Sequence, residues 1–154
     1  MNKKLSDKWV LWNHIKKNDW TVNGYKELFS LEYLEELMYL MNNYNKLGGL
    51  NNSHFFLMKE NILPIWEDKN NINGGCISFK YEINIVENKW NELCAQILGN
   101  NFPDNFDING VSICIKNPNY SIIQIWIKNQ NNKIINYISK NINSDYLYKN
   151  YKKY

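Results

Sequence analysis

Arginine is missing from this chain of 154 residues: all 18 basic residues are lysine. Any phosphate contact must therefore come from ammonium point charges, without the planar, bidentate fork of a guanidinium. The net charge is only +3. That excludes a general nucleic-acid coater, which needs a concentrated basic stripe. Histidine is scarce, with His14 and His54 alone. The three cysteines, Cys76, Cys94 and Cys114, are odd in number and far apart. No zinc-ligand spacing exists, so neither a metal nor a cofactor is expected. Reduced thiols in an intracellular compartment, the cytoplasm, are the natural reading. No apolar run approaches the roughly 20 residues of a membrane span. Met1-Asn2-Lys3-Lys4 lacks the apolar stretch of a secretion signal.

What is present is aromatic and amide-rich. Hydrophobic residues make up 44% of the chain, and six tryptophans are many for this length. The length suits one ordinary domain over residues 1–154 with a single core, acting as a monomer. The bias toward Asn, Ile and Lys reads as AT-rich coding, which makes Asn-rich stretches weak evidence for anything.

Periodicity sorts the chain into alternating strands and helices. Trp9-Val10-Leu11-Trp12 predicts a first strand, and Trp20 to Leu28 a second. Leu34, Leu37, Met38 and Met41 are helically spaced within Glu32 to Asn45, with Ser30 as the cap. Gly48-Gly49 breaks the chain before a strand over Ser53 to Met58, whose Phe55-Phe56 pair reads as core. A polar loop from Lys59 to Asn73 leads to a strand over Gly75 to Glu82. Val86 to Leu98 has helical periodicity and ends at Gly99. Val111 to Ile115 and Ile122 to Ile127 form a hairpin across Asn117-Pro118-Asn119. Ile134, Ile135, Ile138 and Ile142 make a third helical stripe. The order ββα, ββα, ββα predicts an α+β fold with antiparallel strands and helices on one face. The basic, aromatic tail over about 146–154 reads as a frayed, solvated terminus, with an RNA-touching segment as the alternative.

The most telling pair is Trp66-Glu67, in the loop Ile62-Leu63-Pro64-Ile65-Trp66-Glu67-Asp68 ahead of Gly74-Gly75. Buried packing explains most tryptophans, and Trp9, Trp12 and Trp90 fall on periodic segments that suit it. Trp66 has no obvious apolar neighbours. A flat ring beside a carboxylate suits a stacked guanine, whose N1–H and N2–H2 groups form a pair of donors. Adenine offers no such pair and would leave the carboxylate desolvated and unpaired. Trp20, also beside polar residues, could close a sandwich from the other side. The bland reading of Glu67-Asp68 is an exposed acidic turn.

Together, Trp9-x-x-Trp12, Trp20, Ile62-x-Pro64-x-Trp66-Glu67-Asp68, Gly74-Gly75, Trp90-x-Glu92, Gly99, Gly110 and Ile125-Trp126 resemble the translation initiation factor 4E family of mRNA cap-binding proteins. The likeness runs from about Leu5 to Trp126. It implies a curved antiparallel β-sheet backed by three helices on the convex face, with a cap slot on the concave face. It implies no enzymatic activity. By the same resemblance Trp20 and Trp66 sandwich the 7-methylguanine, Glu67 reads its edge, the Trp66 amide meets the base carbonyl, and Trp126 lies against the N7-methyl group. Lys116 stands where the family carries a phosphate-binding Arg, and Lys128 is a candidate for the second phosphate cation. The expected ligand is capped mRNA with its 7-methylguanosine 5′-triphosphate.

The convex face departs from the family pattern. The family binds its 4G scaffold and repressors through an aliphatic residue and a Trp on the first helix. Here the matching positions are Leu34 and Met38, with Glu92 and Leu98 on the second helix. A divergent 4G-like scaffold or a repressor helix is the expected partner. Three functions follow: cap binding in initiation; a cap-binding competitor that does not recruit the usual scaffold; and an enzyme on nucleotides or sugars, with Glu67 or Asp68 as acid–base group.

Overall fold

Alternation along each strand sends successive side chains to opposite faces of one sheet. The computed structural model describes residues 2–103, 106–130, 132–142 and 146–151. In chain order the elements are β1 Lys4–His14, β2 Tyr25–Tyr33, α1 Leu34–Met41, β3 His54–Lys59, β4 Gly75–Glu82, α2 Ile83–Leu98, β5 Ile108–Ile115, β6 Tyr120–Ile127, α3 Asn132–Asn141 and β7 Tyr146–Asn150. The sheet runs β2-β1-β3-β5-β6-β4-β7, and each pairing is antiparallel. The thrice-repeated ββα order holds, with β7 added.

One face of the sheet carries the main core. Trp9 and Leu11 of β1, Phe55 and Leu57 of β3, Ile77 and Phe79 of β4, and Ile123, Ile125 and Ile127 of β6 pack with Leu37, Trp90, Leu93, Ile134 and Ile138 of the helices. Burying a side chain of this size stabilises by about 1.5–3 kcal/mol. The opposite face carries a smaller cluster of Phe56, Met58 and Trp126, with Trp12 and Tyr25 packed against it. Phe56 and Trp12 therefore belong to this second face and not to the main core. Phe55 and Phe56 are adjacent, and a pleated strand must send them apart.

Several boundaries differ from the sequence expectation. β2 begins at Tyr25, so Trp20 lies in the preceding loop. There the Asp19 carboxylate accepts hydrogen bonds from the Thr21 amide and hydroxyl at 3.0 and 2.6 Å. The Gly24 carbonyl accepts from the Ile15 and Lys16 amides. These local bonds turn the chain where strand pairing would otherwise begin. Ser30 belongs to β2 and does not cap α1. Instead the Glu36 carboxylate reaches back to the Tyr33 and Glu32 amides at 3.0 and 2.5 Å, in a capping-box arrangement. α1 ends at Met41, and a 3-10 turn over Tyr44–Leu47 follows, closed by Gly48 at φ +95°. That left-handed conformation favours glycine.

The tail differs most. Residues 146–150 form β7 on the outer edge of β4, with Cys76 opposite Lys149. Strand β4 would otherwise present a row of unpaired amides and carbonyls, and the tail satisfies them. Residues 152–154 lie outside the described residues. No described helix is long and apolar enough to cross a membrane.

Candidate functional site

A cavity of about 470 Å³ opens on the sheet face opposite the main core, and three tryptophans from separate segments line it. Trp20 comes from the loop before β2, Trp66 from the loop before β4, and Trp126 from β6. Trp20 is 56% exposed and Trp66 42%, whereas Trp126 is only 6% exposed. Two rings thus stand free to receive a ligand face, and the third forms a fixed floor. The Trp126 indole Nε1 donates to Ser112 Oγ at 3.1 Å, and its ring meets Phe56 edge-on at 5.9 Å.

The loop bearing Trp66 is irregular but internally bonded. The Asp68 carboxylate accepts from the Leu63 amide at 2.9 Å and the Asn70 amide at 2.7 Å. Asn71 is fully buried. Its Nδ2 donates to the carbonyls of Leu63 and Ile65 at 3.1 and 2.9 Å. Asn109 of β5, also buried, donates to the Asn70 carbonyl at 2.7 Å and to Asn71 Oδ1 at 3.0 Å. Two buried amides therefore knit the loop to the sheet and fix the backbone on which Trp66 stands. The Asp68 carboxylate is thus engaged within the loop, which it holds together.

Close backbone approach explains the motif glycines. A Cβ on Gly74 would collide with the Ile127 carbonyl, and one on Gly75 with the Lys149 carbonyl. Gly-Gly thus lets β4 enter between β6 and β7.

The remaining predicted residues divide. Lys116 lines the cavity, at the foot of β5. Glu67 is exposed and is not among the cavity-lining side chains. Its charge is nonetheless felt inside, because the Tyr25 hydroxyl is pushed up to about 12 by burial and then by the Glu67 and Asp19 carboxylates. Lys128 is exposed and does not line the cavity; its amide is anchored to the Asp107 carbonyl.

Sequence reasoning missed other walls. Tyr25, His54 and Phe56 line the Trp20 side, and Cys76, Lys149 and Tyr151 the opposite side. Tyr151 lies 5.5 Å from Trp126 between ring centroids, and burial and the neighbouring Cys76 push its hydroxyl upward. Burial, then the charges of His14 and Lys116, bring the His54 imidazole down to about 4. Strand alternation around Phe56 could have exposed the first group. Nothing local signalled that the tail would fold back into the site.

On the helical side, Met38 is 53% exposed and Glu92 is exposed, paired with Lys89 at 3.7 Å. Leu34 is half-buried against the core. Leu98 is 2% exposed, so it packs inward and cannot serve as a docking contact. Its i,i+4 and i,i+3 spacing from Cys94 and Ala95 does not distinguish faces. The buried Leu93, Cys94 and Ile97 do.

A seven-stranded antiparallel sheet, three helices behind it and a tryptophan-lined slot in front define an aromatic-slot α+β protein. The model of the eukaryotic initiation factor 4E family matches residues 4–153, and the chain belongs to that family. It is 31% identical over 120 residues to eukaryotic translation initiation factor 4E-3 of Caenorhabditis elegans, covering 71% of this chain and 46% of that protein. A 4E homologue of Acanthamoeba polyphaga mimivirus is 26% identical, with 78% of this chain and 53% of that protein covered. The chain spans about half the length of these curated relatives. Among solved structures, the C. elegans 4E-3 complex with the 4E-binding protein Mextli and a cap analog superposes with a TM-score of 0.83. It covers 99% of this chain and 95% of that one at 24% identity. Ascaris suum 4E-3 with an m7G cap superposes at 0.75, with 26% identity over 89% of this chain and 79% of that one. The curved sheet and its three helices are thus those of the family.

Proposed function

We propose that this chain binds the 7-methylguanosine cap of mRNA in the tryptophan-lined slot and acts in cytoplasmic translation initiation, as one cap-binding domain without catalysis of its own. The observation that carries this reading is the convergence of Trp20, Trp66 and Trp126 on one cavity that also holds Lys116. Trp20 and Trp66 sandwich the base, and stacking contributes about 1–3 kcal/mol. N7-methylation makes the base cationic, which adds about 0.5–2 kcal/mol of cation–π attraction. Glu67 swings from its exposed position to accept from N1–H and N2–H2, a bidentate contact that discriminates by about 1–3 kcal/mol. The Trp66 amide meets the base carbonyl, and Trp126 lies against the methyl group. Lys116 draws the triphosphate, and Lys128 serves only if the phosphate chain leaves the cavity toward it.

Tryptophan fluorescence titration with cap dinucleotide and with unmethylated guanosine triphosphate tests the reading. Strong quenching with preference for the methylated ligand is expected, and Trp66→Ala or Glu67→Ala should lose most of the binding. Equal affinity for the two nucleotides refutes it.

A second reading, a cap-binding competitor that does not recruit the usual scaffold, is favoured by Met38 on the exposed face of α1 and by the inward Leu98. Recovery on cap resin separates the two: a 4G-like scaffold supports initiation, and a different bound protein without it supports repression.

A further inference from the structure

The slot takes up only part of the sheet face on which it opens. Along β4 and β6 the cross-strand pairs are Cys76 with Trp126, Ser78 with Gln124, Lys80 with Ile122 and Glu82 with Tyr120. Strand alternation sends all eight side chains to the slot side. Gln124 and Lys116 line the slot, whereas Lys80 and Tyr120 stand just beyond it. The floor of the slot therefore continues without a break onto the second half of the face.

That second half is apolar at its centre and basic at its sides. Tyr120 and Ile122 are half-buried, and Lys80 and Lys116 are exposed. The Lys80 Nζ lies over the Tyr120 ring, 4.0 Å from its centroid. Leu147 of β7, opposite Ser78, is 70% exposed. The backbone under the ring is fixed. The Tyr120 amide donates to Asn117 Oδ1 at 3.1 Å, and the Lys116 amide donates to the Tyr120 carbonyl at 3.2 Å. Lys116, at the edge of the slot, and Tyr120 are thus direct neighbours across the hairpin.

We propose that Lys80 and Tyr120 form a second binding site, which takes the nucleotide that follows the cap on single-stranded RNA. This rests on the slot binding the cap. Every base has a π-face, so one aromatic ring accepts whichever base comes first. Lys80 covers the ring as a cation–π partner in the absence of RNA. A base displaces it, and its ammonium moves to a phosphate oxygen, a point-charge contact of the kind lysine makes. The distance fits. Six residues along β6 separate Trp126 from Tyr120, about 20 Å at the rise of a strand. An extended triphosphate with its two riboses bridges a span of that order.

Charge and tethering select RNA as the occupant. Lys116 and Lys80 mark the route from the slot to the ring with positive charge. Glu82, opposite Tyr120 and exposed, ends that route, which limits it to the first nucleotide. A cap held in the slot delivers its own chain to Tyr120 at high effective concentration, so even a weak stacking contact is used.

The test compares 7-methylguanosine triphosphate, which lacks the following nucleotide, with a short capped oligoribonucleotide. Tyr120→Ala should leave Kd for the triphosphate unchanged and raise Kd for the oligoribonucleotide about fivefold. Tyr120→Phe keeps the ring and should bind both ligands as the wild type does. Lys80→Gln should lower the slope of log affinity against log salt for the oligoribonucleotide by about 0.7. A Tyr120→Ala protein that weakens both ligands alike, or neither, overturns the proposal, as does an unchanged slope in Lys80→Gln. A wild type that fails to prefer 7-methylguanosine triphosphate to guanosine triphosphate overturns the slot reading instead.

Discussion

Replacing Asn71 by alanine removes the side chain that holds the Trp66 loop. Three hydrogen bonds go with it: two from Nδ2 to the Leu63 and Ile65 carbonyls, and one accepted from Asn109. Each contributes about 0.5–1.5 kcal/mol net, so the expected loss of stability is about 3 kcal/mol. The site is fully buried, so water cannot take over the orphaned carbonyls without opening the loop. The backbone bonds from Asn71 N–H to the Asp68 carbonyl and from Gly74 N–H to the Asn71 carbonyl remain. The loop should therefore loosen around residues 63–66 and not dissolve. Urea unfolding measures the stability term, and cap titration measures the site. A tenfold rise in Kd, equivalent to about 1.4 kcal/mol, is expected as Trp66 loses its fixed position. A stability change below about 0.5 kcal/mol together with unchanged cap affinity would refute the view that Asn71 supports the site.

Two further outcomes are expected. His54 is neutral in the fold at a pKa of about 4, against an ordinary 6.5. The unfolded chain takes up its proton first, so stability is complete above about pH 6.5 and is lost as pH falls toward 4, by up to about 3 kcal/mol. His54→Gln should flatten that acid limb in urea melts at stepped pH, and an unaltered limb would count against the burial of a neutral imidazole. Lys116→Ala should weaken cap binding and lower the slope of log affinity against log salt by about 0.7–0.9, one phosphate's worth. An unchanged slope would move the phosphate contact elsewhere.

Much of the fold could be read locally, and the reasons are physical. Alternation marked β5 and β6, and the Asn117-Pro118-Asn119 turn joined them in the register the structure shows. Helical spacing found α2 and α3 because their buried stripes are long. Boundaries were missed where a few side-chain bonds outweigh propensity, as at Asp19-Thr21 and at Glu36. Phe56 and Trp12 pack in the slot-face cluster and Leu98 packs inward, and the sequence does not separate these faces because an apolar residue has the same identity whichever face it covers. The Asn71–Asn109 pair was invisible, since asparagine is abundant throughout this chain and only the fold brings residues 38 positions apart into contact.

The residues proposed to recognise a charged guanine are legible in the sequence alone. Trp66-Glu67 and the surrounding motif carry that chemistry in the identity of the side chains. The absence of arginine likewise leaves lysine as the side-chain cation for any phosphate in the proposed site. Tertiary structure decided which of these groups share a cavity. It brought Trp20, Trp66, Trp126 and Lys116 to one slot, left Lys128 outside, and closed the far wall with Lys149 of β7 and Tyr151 just after it. It also placed His14 flat behind Trp20. A side chain's chemistry is local, but its partners depend on strand pairing across the whole chain.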